Sequence, residues 1–118
     1  MENSNPILFP HFVAVDIETT GFDAYQEEII EIGAVRYVDG KKDAVFSQLI
    51  RPKRSIPEFI SILTGITNDM TRQAPPEAEV IKQFIEFIGD DLLVFHNAKF
   101  DHTFLHYRYA YENPISCT

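Results

Sequence analysis

Val15-Asp16-Ile17-Glu18-Thr19-Thr20-Gly21 is the stretch on which the reading of this 118-residue chain turns. It closes the apolar run Phe12-Val13-Ala14-Val15-Asp16, which reads as a buried strand, and Thr19-Thr20-Gly21 ends that strand. Residues two apart in a strand project to the same face, so Asp16 and Glu18 stand together while Ile17 enters the opposite layer. Two neighbouring carboxylates repel each other unless a cation lies between them. Hard oxygen donors of this kind suit Mg²⁺ or Mn²⁺. A bare Asp-x-Glu is a common pattern and also describes the solvated end of a strand. The wholly apolar run before Asp16 argues against that reading.

The rest of the chain supplies elements to place around this strand. Glu28 to Val38 reads as a second strand, Asp39-Gly40 as a hairpin turn, and Ala44 to Ile50 as the antiparallel return. A short helix is expected near Glu58–Leu63. The turn Leu63-Thr64-Gly65-Ile66-Thr67 leads into another short helical piece. Pro75-Pro76 opens an amphipathic helix whose apolar residues Val80, Ile81, Phe84, Ile85 and Ile88 recur at helical spacing, and Gly89 stops it. Leu92-Leu93-Val94-Phe95 is short and fully apolar, as befits a central strand covered on both faces. A last helix begins near Ala98, with Phe100, Phe104, Tyr107 and Tyr111 as its buried stripe, and Asn113-Pro114 breaks it. Ile115 to Thr118 reads as the start of a fifth strand. Residues 1–11 are expected to be a loose leader and residues 12–118 the N-terminal part of one domain.

The second informative string is His96-Asn97-Ala98-Lys99-Phe100-Asp101. Asn97 is placed to cap the helix, and Asp101 falls in the first turn, where the helix dipole favours an anion. Sites in α/β sheets gather at the carboxyl ends of strands, so Asp16, Glu18 and Asp101 converge if the first and fourth strands are neighbours. His102 and His106 are spaced i, i+4, about two hundred degrees around the helix from Phe100, and read as a solvated pair. Glu31 lies within an apolar strand. It is either a supporting group of the site or a polar residue at the sheet end.

Composition narrows the function classes. The net charge of −8 argues against a broad basic surface for gripping phosphates, though not against a nucleic-acid enzyme whose acids hold metals. A single cysteine, Cys117, rules out an intramolecular disulfide and fits a reducing compartment. No apolar run approaches membrane-spanning length, and the start lacks a signal-peptide pattern, so a cytoplasmic location is expected.

The two strings resemble the first and second motifs of the DEDD (DnaQ-like, DEDDh-type) superfamily of 3′–5′ exonucleases. Glu31-Ile32-Gly33-Ala34-Val35 and Leu63-Thr64-Gly65-Ile66-Thr67 are similar to the segments between them. The likeness runs from about Phe12 to Thr118 and is strongest to the proofreading epsilon subunit of bacterial DNA polymerase III and to the exonuclease domain of its Gram-positive replicative relatives. It implies a ribonuclease H-like α/β fold, a mixed sheet with flanking helices, truncated here at its C-terminal end. It also implies two Mg²⁺ or Mn²⁺ ions, ~3.5–4 Å apart, acting on the scissile phosphate. Asp16 would bridge both ions, Glu18 would serve the first and face the terminal 3′ hydroxyl, and Asp101 would serve the second. Thr19 and the Thr64-Gly65-Ile66 turn would receive the terminal nucleotide, and Asn97 would position substrate or Asp101.

The superfamily carries a third motif, a His followed five residues later by an Asp, on a helix after the fifth strand. That region would lie past Thr118. The implied parent removes nucleoside monophosphates from the 3′ ends of single-stranded DNA, in proofreading or repair, with a DNA polymerase subunit as an expected partner; the 118 residues alone are expected to be nearly inactive. The rivals are a non-catalytic polymerase-binding or nucleic-acid-binding module of the same fold, and an RNA-trimming exonuclease.

Overall fold

A computed structural model describes residues 11–109 and 111–117. Five strands form one mixed sheet in the order β3-β2-β1-β4-β5, and four helices accompany it. The expected leader lies outside the described residues except for His11, which pairs with Val38 as the first residue of β1.

Strand β1 (His11–Thr19) sits in the middle because it is apolar enough to be flanked on both edges. Val13, Val15 and Ile17 turn one way and are buried, while Ala14, Asp16 and Glu18 alternate to the other face. β2 (Ile29–Val38) pairs with β1 antiparallel, and β3 (Lys41–Leu49) returns beside β2. Their hairpin is the two-residue Asp39-Gly40 loop, with φ of 52° and 80°, the positive pair that this tightest turn demands. β4 (Leu92–Phe95) runs parallel to β1, and β5 (Ile115–Cys117) runs parallel to β4. The expected neighbourhood of the first and fourth strands is thus present.

Among the helices, α1 (Glu58–Thr64) ends at Gly65, whose φ of 81° lets its N–H reach back to the Ser61 carbonyl. α2 (Asn68–Thr71) is one turn, capped by the Thr67 hydroxyl, which accepts from the Met70 amide at 3.2 Å. α3 (Glu77–Ile88) and α4 (Ala98–Arg108) pack on one face of the sheet. Val13, Val15, Ile17, Ile32, Phe84, Ile88, Phe95, Phe104 and Leu105 form the main core there, and Ile30, Ile56, Ile60 and Ile66 form a smaller one under α1.

Three expectations of packing are corrected. Ile85 is not in the core stripe of α3 but at its exposed margin, because Val80, Ile81, Phe84 and Ile88 already fill the inward arc. β4 is interior in the sheet, yet it is not sealed on both faces: Val94 is half-buried and, with Ala14, Val35 and Val45, floors a groove of about 520 Å³ bordered by Asp16 and His96. The stripe of α4 also differs. The helix stops at Arg108, so Tyr111 is buried from beyond it, and Tyr107 is 57% exposed with its ring edge-on to Tyr25 at 4.6 Å.

Candidate active site

The carboxylates are set by strand alternation and then by strand register. Asp16 stands opposite Gly33 on β2, and Glu18 stands directly opposite Glu31. A bulge follows at Glu18/Thr19, and the chain turns away. That turn is tied down by its own side chains. The Thr19 hydroxyl donates to the Gly21 carbonyl at 2.5 Å, and the Thr20 hydroxyl donates to Glu27 at 2.9 Å while accepting from the Glu28 amide. A Cβ at Gly21 would lie 2.8 Å from the Glu27 side chain, so a larger residue there would have to displace the carboxylate that Thr20 holds. Both threonines are buried. The Thr19 hydroxyl thus shapes the strand end.

Asp101 arrives from the other side. β4 pairs with β1 as far as Phe95 opposite Val15, after which His96-Asn97 turns the chain into α4. Asn97 is the first-turn cap by position only: its carbonyl accepts from the Phe100 and Asp101 amides, both at 3.0 Å, and its side chain makes no cap bond. One turn into α4, Asp101 faces inward and is 5% exposed. Its carboxyl comes within hydrogen-bonding reach of the Asp16 carboxyl and of the Ile17 backbone. Asp16, Glu18 and Asp101 thus converge at the carboxyl end of β1.

The surroundings push two of the acids, Glu18 and Asp101, toward their protonated forms. Burial, and then the neighbouring Asp16 charge, push the Asp101 carboxyl up to about 7, against the lowering effect of the Ile17 backbone bond. Burial likewise raises Glu18, with Asp16 and then Glu31 adding to it. Among the described residues no group of three or more His, Cys, Asp or Glu side chains is gathered closely enough to hold a metal ion as it stands. The fit to divalent ions rests on donor chemistry: these are oxygen-only acids, and both Asp16 and Glu18 act electrostatically on Asp101. Asp16, Glu18 and Asp101 are the residues that would hold such ions.

A pH dependence follows for the metal-free protein. The folded state holds a proton on Asp101 that the unfolded chain releases near 3.8, so stability should fall as pH rises from about 4 to about 7. Asp101→Asn should remove that loss and raise stability at pH 8 by about 1–3 kcal/mol, with little change at pH 4. Denaturant melts at both pH values, in chelator, measure this. Equal effects at the two would show that Asp101 is not held in its acid form.

Glu31 is the residue that sequence reading left open. Only the β1–β2 register reveals that it faces Glu18 across the strands, where like charges are unfavourable. The Thr64-Gly65-Ile66 turn is held by its own bonds. The Thr64 hydroxyl donates to Ile60 and accepts from the Ile66 amide, and the Ile66 side chain is buried in the smaller core. His102 and His106 are not a solvated pair. His102 packs edge-on to Phe95, and its Nδ1 lies 2.8 Å from the Tyr111 hydroxyl; only His106 is exposed. Burial, followed by His106, holds the His102 pKa down.

The Exonuclease family's sequence model matches residues 13–113, which contain all three carboxylates. The chain belongs to the exonuclease family. This exonuclease domain is 47% identical over 112 residues to the PolC-type DNA polymerase III of Clostridium perfringens, covering 88% of the chain but 8% of that protein. It is 42% identical over 113 residues to the DNA polymerase III epsilon subunit of Aquifex aeolicus, covering 91% of the chain and 56% of the subunit. Among solved structures, exonuclease X in complex with 5′-overhanging duplex DNA matches with a TM-score of 0.72 and 31% identity, over 90% of this chain and 58% of that one. Product-bound exonuclease I matches with a TM-score of 0.78 at 16% identity, over 92% of this chain and 30% of that one, a likeness of fold alone. The exonuclease domain is thus related to those of DNA polymerase III, on the ribonuclease H-like fold. No described helix is long and apolar enough to cross a membrane.

Proposed function

We propose that this domain is a divalent-metal-dependent 3′–5′ exonuclease acting on single-stranded DNA ends and releasing nucleoside monophosphates. It would serve in proofreading or repair in the cytoplasm, beside or within a DNA polymerase. The observation that carries this reading is the convergence of Asp16, Glu18 and Asp101 at one strand end, inside the region matched by the exonuclease family. When bound, Mg²⁺ or Mn²⁺ supplies positive charge to the scissile phosphate and acidifies the attacking water.

The chain's own residues do the positioning. Asp16 and Glu18 are fixed by a strand paired on both sides, and Asp101 by α4 and the Ile17 backbone, so their directions are set before substrate arrives. The Thr19-Thr20-Gly21 turn holds the strand end rigid, and the exposed backbone of Gly65 is offered to a terminal nucleotide. A proton acceptor for the water is a further requirement, since acids that ligate ions do not serve as that base. A general base is typically worth about 10²–10⁴-fold. We therefore expect the 118 residues alone to turn over slowly, and a longer version with a His-x-x-x-x-Asp helix after β5 to be active. A 5′-labelled oligonucleotide run as a ladder, with Mg²⁺ or with chelator, tests this. Metal-dependent shortening from the 3′ end by the longer version is expected; shortening from the 5′ end, or equally well in chelator, contradicts the proposal.

A further inference from the structure

The loop after β3 reads Arg51-Pro52-Lys53-Arg54-Ser55, three cations in four positions. With Arg72 of the α2 C-cap, these side chains line a cavity of about 290 Å³, completed by Asn68 and Thr71. Four of the chain's ten Lys and Arg thus border one pocket that no Asp or Glu lines, in a protein of net charge −8. The loop is held in shape by Glu28, whose carboxylate accepts from the Lys53 and Arg54 amides at 2.7 and 3.1 Å. Arg54 is partly neutralised by Glu27 and Glu28, each 3.8 Å away. Arg72 pairs with Asp69 at 2.6 Å, but both are more than half exposed, and such a surface pair is weak enough for a stronger anion to compete.

The pocket lies at the same end of the sheet as the acids: Leu49, the last residue of β3, stands opposite Glu31, which faces Glu18. A second cavity, of about 210 Å³, shares Arg54 and Ser55 with it and is completed by Thr20, Pro57 and the loop-bracing Glu27 and Glu28. The loop that carries Arg51, Lys53 and Arg54 therefore leaves the sheet at the end where the acids stand.

We propose that the Arg51/Lys53/Arg54/Arg72 pocket binds backbone phosphates of the substrate strand on the 5′ side of the nucleotide being removed. This rests on the reading of the domain as an exonuclease on single strands. The acids at the strand end repel an approaching phosphodiester chain. A remote cationic anchor offsets that repulsion and holds the strand while successive 3′ nucleotides leave. Reach sets the ligand: a strand too short to extend past Thr20 would gain nothing from the pocket.

The test is fluorescence anisotropy with 5′-fluorescein dT3 and dT10, in the presence of Mg²⁺ and with Glu18→Gln to stop turnover, between about 50 and 200 mM salt. Lys53→Ala/Arg72→Ala should weaken dT10 about tenfold at the lower salt and flatten its log K against log salt slope by about 1.4, two single-strand phosphate contacts at about 0.7 each. Binding of dT3 should be unchanged. Both side chains are exposed, so the fold should hold, and an unaltered thermal melt verifies this. If dT10 binds both proteins with equal slope, the substrate reading stands and this inference fails. If neither oligonucleotide binds either protein, both fail together. Displacement of dT10 by poly-glutamate at equal charge concentration would assign the pocket to an acidic protein partner and overturn the nucleic-acid assignment.

Discussion

Glu18→Ala in an active, longer form of this exonuclease is expected to abolish measurable turnover of a 5′-labelled oligonucleotide while leaving the fold intact. The expectation comes from opposing effects of one carboxylate. Glu18 is half-buried, and Asp16 and Glu31 press on it electrostatically, so its removal relieves repulsion when metal is chelated away. The same side chain is one of the three acids available to divalent ions, whose electrostatic contribution to the reaction is worth several kcal/mol. Each 1.4 kcal/mol is about tenfold in rate, so the loss should be about a thousandfold or more. Thermal melts in chelator should show a midpoint equal to or above that of the parent. Retained turnover would remove Glu18 from the chemistry, and a collapsed melt would make its role structural.

Phe104→Ala should destabilise the protein by about 3–5 kcal/mol, the range for a fully buried aromatic cut back to a methyl. Phe104 has no exposed surface; its ring lies 4.9 Å from that of Phe100, and the Arg108 guanidinium sits 5.2 Å from it. α4 presents Asp101, Phe104 and Leu105 together as its buried residues, so a cavity at 104 loosens the helix that carries an acid of the site. Phe100→Ala should cost clearly less, because Phe100 is only half-buried against the core. Urea melts of both variants measure this directly. Equal losses would mean that α4 is rotated relative to the packing described here.

The difference between these two phenylalanines shows what the sequence made legible. Elements governed by local rules were read with little error. The Asp39-Gly40 hairpin follows from two positions that must take positive φ, and the end of α3 follows from Gly89. Asp16 and Glu18 share a face because a strand has period two, whatever lies around it. α4 was harder to read. Its apolar residues suggest a stripe of Phe100, Phe104, Tyr107 and Tyr111. The helix instead turns a carboxyl inward with Phe104 and Leu105, since Asp101 is drawn to the end of β1, and His102 is packed between Phe95 and Tyr111. Only tertiary packing sets that rotation. Glu31 was ambiguous for a related reason: whether it faces the site depends on the register between two strands. The bonds that Thr19 and Thr20 make within their own turn are likewise invisible in sequence, because a threonine hydroxyl can serve a ligand or its own backbone.

The central claim is that Asp16, Glu18 and Asp101 act together as acceptors of divalent metal, and Mn²⁺ binding tests it most directly. Calorimetric titration at pH 8 should find a weak site in the 118-residue protein. Its affinity should drop about tenfold or more in Asp16→Asn and in Asp101→Asn, and stay unchanged in Asp69→Asn, whose carboxylate lies on the surface of α2. Because Asp101 must give up its proton, affinity should also fall about tenfold per pH unit below about 7. Binding that is indifferent to Asp16 and Asp101 would contradict the account and place the metal elsewhere.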